Sequence, residues 1–372
     1  MSQAPDDSQH YSAKSCQEII DDLTKTIDSA LSTHGESTYE LSLSQAGDRF
    51  QKRYVADSCP RAALSDFEYG STLGAGSFGA VYLARYKDGT ICALKHQKLK
   101  WAVKERKITY ALKSPFIVEA LYAFQKDDIY YIAYELASWG DLSQHRKVIR
   151  ASGSEELLKL ISAQLVLALE YMQHCQVAHQ DLKSNNVGLF ADGYVKILDF
   201  GLGEALAAPK PVFRMQGKKK RFAPEKVKAL LVSAHFTDWW NLGSLINDLL
   251  PSPEHIVRIE FGKSAHEADL SHLRYPKPAG EHLTDLLVGL QKVKVTERLG
   301  AMKDGAKDVK NHPWFSDVNF IHLYYKTIPM LEKYPEDMEW VDVASGAVFT
   351  KDLPKLMFTS RGTCETHPAP ET

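Results

Sequence analysis

Paired cysteines, long apolar runs and a dominant charge are all missing from this 372-residue chain. The five cysteines (Cys16, Cys59, Cys92, Cys175, Cys364) are scattered and odd in number. That argues against a disulfide framework or a zinc site and suits a reducing compartment. No apolar run is long enough to span a bilayer. The opening "MSQAPDD" has neither the layout of a signal peptide nor the glycine that myristoylation needs. With 45 basic and 47 acidic side chains the net charge is −2, which gives no electrostatic case for nucleic-acid or membrane binding. Neither partner is expected. The expected location is cytoplasmic, with the nucleus as the alternative. Internal repeats and low-complexity tracts are absent too.

What is present is an ordinary globular composition, 44% hydrophobic and 25% charged, in a chain long enough for two lobes around a cleft. Up to about Pro60 the chain is polar and serine-rich. One helical candidate stands out there, "QEIIDDLTKTIDSAL", with Ile19, Ile20, Leu23, Ile27 and Leu31 at helical spacing. It either covers the main domain or binds a partner. From Phe67 short apolar runs with glycine turns, such as "TLGAGSFGAVYLARY", "TICALKHQ" and "DIYYIAYEL", indicate antiparallel strands. "EELLKLISAQLVLALEYMQHC" has the length and period of a buried helix, and further helical patterns follow to about Phe315. A β-rich first half and a helical second half make an α+β, two-lobed fold. The stretch from Ser316 is expected to wrap the domain.

Several motifs carry chemistry. "GAGSFGAV" sets Gly74, Gly76 and Gly79 between two strand patterns, with Ser77 and Phe78 at the tip and Val81 after it. A dinucleotide fold would open a helix here. Instead "AVYLARY" continues as a strand, so the loop is a hairpin lid whose backbone N–H groups can approach phosphate oxygens. Lys95 lies on the next strand and Glu105 on a following helix, a cation for phosphates and the carboxylate that would fix it. In "HQDLKSNN", Asp181 can accept a hydroxyl proton, Lys183 can neutralise phosphoryl charge and Asn186 can ligate a metal; Asp199 of "ILDFGLG" offers a second ligand. Any one triplet is weak. All of them in this order, followed by "FAPE", are not accidental.

On these motifs the chain resembles the eukaryotic protein kinases over residues 67–315, and within them the AGC group, near the catalytic subunits of cAMP-dependent kinases. "FQKRY", "SPFIVEAL", "DWWNLGSLI" and "ERLGAMKDGAKDVKNHPWF" carry the narrower likeness. The resemblance implies a small lobe over 67–135 and a large lobe over 136–315. It places an N-terminal extension over 1–66 and an AGC-like tail over 316–372. It implies ATP and Mg²⁺ as cofactors and a monomeric catalytic unit. Leu73, Val81, Ala93 and the hinge from Glu135 to Ala137 would enclose adenine, with Tyr134 at the back. Asp141 would contact ribose or substrate. Asp238 would brace the catalytic loop, and Glu225 would pair with Arg298.

The chain departs from that pattern coherently. Between Gly201 and Ala223 there is no serine, threonine or tyrosine, and Arg214 stands at the phosphothreonine position. The cations that would hold the phosphate are also replaced, by Gln180, Glu204 and Trp101. An Arg214–Glu204 ion pair is expected as a partial substitute. Lys218 replaces a threonine near the catalytic aspartate. Gly188 replaces a large residue beneath adenine, and Thr109 and Ala120 stand where larger spine residues belong; each is expected to open a cavity. The stretch from His96 to Lys104 leaves the Glu105 helix little room for its first turns. The tail has no clear Phe-x-x-Phe to dock on the small lobe, with Phe349 and Phe358 as substitutes.

The leading reading is an ATP-dependent protein serine/threonine kinase whose activation does not depend on activation-loop phosphorylation. Lys183 after "HQDL" favours Ser/Thr over tyrosine. The alternatives are a nucleotide-binding pseudokinase acting as an interaction scaffold and, disfavoured by Glu225, Asp238 and Arg298, a small-molecule kinase. Asn185 replaces a carboxylate for an upstream basic residue, and Lys218 to Arg221 form a basic cluster. Together they favour an acidic protein substrate; a solvated basic loop without selectivity is the competing reading. The same changes count against binding a cAMP-type regulatory subunit.

Overall fold

A computed structural model describes residues 16–76, 79–205, 223–227, 234–251, 280–351, 356–358 and 364–366. Two compact units divide the chain between Ser44 and Gln45. In the first, α1 (Cys16–Ala30) runs through one π-turn into α2 (Glu36–Ser44). The second holds everything else and starts with α3 (Ala46–Ala56). No helix among the described residues is long and apolar enough to cross a membrane.

The small lobe is a five-stranded antiparallel sheet in the order β1-β2-β3-β5-β4. Its strands are β1 (Phe67–Gly76), β2 (Gly79–Tyr86), β3 (Ile91–Lys98), β4 (Ala120–Lys126) and β5 (Ile129–Glu135). One face carries an aromatic core of Phe67, Tyr86, Phe124 and Tyr131. Phe124 and Tyr131 stack with centroids 4.8 Å apart, a contact contributing about 0.5–1.5 kcal/mol beyond area burial. The helix α4 (Leu99–Ala111) packs on β4 and β5. It begins directly after β3, so Glu105 has nearly two helical turns before it. The short stretch from His96 removed the connection between strand and helix, not the helix.

The large lobe is built on α5 (Leu142–Ser152) and α6 (Glu155–His174). Ser154 caps α6, its hydroxyl accepting from the Leu157 N–H at 3.1 Å, and Glu155 and Glu156 complement the helix dipole. Short strands follow: β6 (Val177–Ala178) with β9 (Glu204–Ala205), and β7 (Val187–Leu189) with β8 (Val195–Ile197). Then come α7 (Pro224–Val227), α8 (His235–Leu249), α9 (Glu281–Leu290), α10 (Ala306–Lys310) and α11 (Phe320–Tyr324). The Arg298 guanidinium is fully buried and grips Glu225 with two bonds of 2.6 and 2.9 Å.

Two appendages tie the lobes. In α3, Arg53 donates to the Ala111 carbonyl at the end of α4 at 2.7 Å, and Cys175 after α6 reaches the Ala46 carbonyl at 3.6 Å. At the other end of the chain, Thr350 exchanges backbone bonds of 2.7 and 2.9 Å with Tyr69 of β1, and the Arg85 guanidinium lies over the Phe349 ring. The tail thus docks on the small lobe without a Phe-x-x-Phe. Beyond it, β10 (Leu356–Phe358) pairs with β11 (Cys364–Thr366).

Candidate active site

A cavity of about 260 Å³ opens between the lobes. Leu73, Val81, Ala93, Val118 and Leu198 form its apolar walls, and Lys95, Glu105, Asn186 and Asp199 its polar end. Glu135, Ala137 and Asp141 line it from the hinge. Above it, the β1–β2 hairpin pairs Gly76 with Gly79. Two of the hairpin glycines have different reasons. Gly79 sits at φ +153° with β3 so close that a Cβ would fall 1.9 Å from the His96 carbonyl oxygen. A Cβ on Gly74 would meet nothing within 4 Å, so packing does not demand that glycine and room is left over the cleft. Ser77 and Phe78 lie outside the described residues.

Lys95 on β3 is nearly buried and holds two carboxylates. Its Nζ lies 2.7 and 2.9 Å from the Glu105 oxygens and 2.8 Å from Asp199 Oδ1. Burial works against its charge, but the two carboxylates outweigh it and raise the ammonium's pKa. Burial likewise tends to raise the Asp199 carboxyl, yet Lys95 and the Gly201 N–H bring it down to about 2. Glu105 takes two more donors, Gln97 Nε2 at 2.7 Å and the Tyr134 hydroxyl at 2.9 Å.

The loop from His179 to Asn186 is fixed from below by Asp238 of α8. Its two oxygens accept the His179 and Gln180 N–H groups, each at 2.7 Å. Those bonds hold Gln180 at φ +66°, a region a non-glycine residue occupies only when its surroundings impose it. Asp181 Oδ2 accepts from Lys183 Nζ at 2.6 Å and from Asn186 Nδ2 at 3.1 Å. Phe200, buried, meets the His179 ring edge-on at 4.8 Å.

The expected cavities are filled. A Cβ on Gly188 would lie 2.8 Å from Ala137 Cβ and 2.9 Å from Leu198 Cδ1, so the leucine before Asp199 occupies the floor that β7 leaves open. Near the small residues Thr109 and Ala120, the ring of Tyr134 packs against Ala120 and Val118 and its hydroxyl also meets Thr109. A large neighbour therefore compensates each small residue. Where a phosphate cradle was to be replaced, Gln180 Nε2 donates to the Leu202 carbonyl at 3.3 Å and to Glu204 Oε2 at 3.4 Å. Arg214 and Lys218 lie outside the described residues, as does the side chain of Trp101.

The oxygen-donor set fits a hard cation. Among the described residues both bonds of Asp199 fall on Oδ1, leaving Oδ2 available. Asn186 uses Nδ2 to donate to the Asp181 carbonyl at 2.8 Å, which leaves its amide oxygen as an acceptor.

A family model described as protein kinase domain matches residues 67–315. The chain belongs to the protein kinase family. Among its relatives are the cAMP-dependent protein kinase catalytic subunit of Dictyostelium discoideum, 32% identical over 72% of this chain and 42% of that protein, and the cAMP-dependent protein kinase type 3 of Saccharomyces cerevisiae, 32% identical over 70% and 67%. The RAC-beta serine/threonine-protein kinase of Rattus norvegicus is 29% identical over 74% of this chain and 59% of its own length. The chain thus spans less than half of the Dictyostelium relative.

Several residues at or beside the cleft escape sequence reasoning, among them Leu198, Val343 and, behind Glu105, Gln97. Leu198 was visible only as a large residue beside the motif, with Gly188 as the hint that something else must fill the floor. Gln97, two residues after Lys95 on the same face of β3, had a signal in strand alternation. Val343 had none. It lines the adenine side of the cavity because its N–H bonds the Ser138 carbonyl at 2.9 Å, bringing the tail across the hinge.

Proposed function

We propose that the chain is an ATP-dependent protein serine/threonine kinase whose activity does not depend on phosphorylation of its activation segment. The observation that carries this reading is the polar set of Lys95, Glu105, Asp199 and Asn186 lining one cleft, with Asp181 bonded to Asn186 and Lys183 bonded to Asp181. In the family, ATP and Mg²⁺ serve this chemistry; Mg²⁺ would neutralise phosphate charge between Asn186 and Asp199. Lys95, held by Glu105, would bind phosphate oxygens. The bonds to Asp181 among the described residues fall on Oδ2, so Oδ1 is the oxygen that takes the proton of the target hydroxyl. As the hydroxyl oxygen bonds to the γ-phosphorus, the bond to ADP breaks and ADP leaves. Lys183 stands beside the site to offset the transferring charge.

The target is proposed to be acidic around its hydroxyl. Asn185 donates to Ser143 Oγ at 2.7 Å, and that hydroxyl in turn donates to Asp141. The upstream pocket therefore presents a capped carboxylate instead of a pair of free ones, a poor site for a basic peptide or for a regulatory subunit that imitates one. Incubation of the purified protein with radiolabelled ATP and a mixed peptide pool tests the reading. Labelling that Asp181→Ala abolishes is expected. Nucleotide binding without labelling of any peptide would instead establish the scaffold alternative.

A further inference from the structure

The carboxylate of Glu105 is better held than an ion pair with Lys95 requires. Two neutral groups from two different strands also donate to it, Gln97 of β3 to Oε2 at 2.7 Å and Tyr134 of β5 to Oε1 at 2.9 Å. Glu105, Gln97 and Tyr134 are all buried. The Thr109 hydroxyl closes back on the Glu105 carbonyl at 2.8 Å, one turn along the same helix. Because Thr109 and Ala120 are small, the tyrosine ring fits between helix and sheet and its hydroxyl reaches the acid.

We infer that Tyr134 and Gln97 are positioning residues that hold Glu105, and through it Lys95, in place from inside the small lobe; this rests on the kinase reading above. For α4 to swing away from the sheet, both neutral bonds must break along with the ion pair, in a site with little water to replace them. Hydrogen bonds to an ionised group are each worth roughly ten- to a hundredfold in such an equilibrium. The tyrosine also seals the back of the adenine cavity, so ligands that reach behind adenine are excluded by the same residue.

The double variant Tyr134→Phe/Gln97→Leu removes both donors and keeps ring and volume. Hydrogen exchange of α4 in the ligand-free protein should accelerate at least tenfold, with α8 unchanged. The kcat for peptide phosphorylation should fall about tenfold, while the dissociation constant for a fluorescent ATP analogue moves less than threefold. Unchanged exchange in α4, or a rise shared equally by α8, overturns the inference, as does a kcat within twofold of wild type in a protein that labels peptides. If the wild type transfers no phosphate, the kinase reading fails and exchange in α4 alone decides this one. Should the double variant not fold, Tyr134→Phe is judged in the same way with a threefold expectation.

Discussion

Two carboxylates, Glu105 in the small lobe and Glu204 after the metal-ligand motif, are held in different ways. On the small-lobe side Glu105 takes donors from Lys95, Gln97 and Tyr134 at 2.7–2.9 Å, sheltered from water. On the segment side Gln180 and Glu204 meet through a contact of 3.4 Å. In low dielectric a charge met by several short donors is expensive to disturb, whereas a single long, part-buried bond to a carboxylate is weaker. The lesson is that the Lys95–Glu105 ion pair is supported by neutral groups inside the sheet as well as by its own charges.

The comparison is sharpened most strongly by breaking a satisfied buried pair elsewhere. Glu225→Gln leaves the Arg298 guanidinium buried without its carboxylate and should cost about 3–5 kcal/mol in urea denaturation. Next comes compensation by shape. Gly188→Leu alone should clash with Leu198, and Leu198→Ala alone should cost about 1–3 kcal/mol and weaken nucleotide binding. The two together should restore most of both losses; simple additivity in a double-mutant cycle would show that Leu198 does not serve as the floor.

A smaller effect concerns pH. His96 of β3 is buried, and desolvation draws its pKa down to about 4. The unfolded chain binds this proton below about 6.5 and the folded one only near 4, so stability should fall as pH drops through that window, by about 1–2 kcal/mol between pH 7 and 5. His96→Gln should flatten the slope of the urea midpoint against pH. The smallest effect is expected at the Gln180 side chain. Gln180→Ala should change stability by less than about 1 kcal/mol and leave activity within threefold. A hundredfold loss there would erase the contrast between the two carboxylates.

Lys95, Glu105, Asp181, Lys183, Asn186 and Asp199 were legible in the sequence because phosphoryl-transfer chemistry tolerates few residue types and fixes their order. The two lobes were legible because strand alternation and helical period differ so plainly on either side of the hinge. Volume was not. Gly188, Thr109 and Ala120 each looked like a hole, since a small residue is seen in the chain but its filler is not. Leu198 and Tyr134 come from other strands and turns, and only packing shows that they occupy the space. The start of α4 failed for a related reason: deleted residues do not say whether they came from a helix or from the link before it.

The tail's backbone bond to Ser138 has a practical consequence. A chain cut at residue 315, where the family match ends, would retain every motif and yet lack Val343, one side of the adenine cavity, and the strand-like clasp of Thr350 on Tyr69. The smallest piece able to enclose a nucleotide is therefore longer than the piece that can be recognised. A family boundary marks where the likeness stops, while the working boundary of this molecule lies some thirty-five residues further on, at about Thr350.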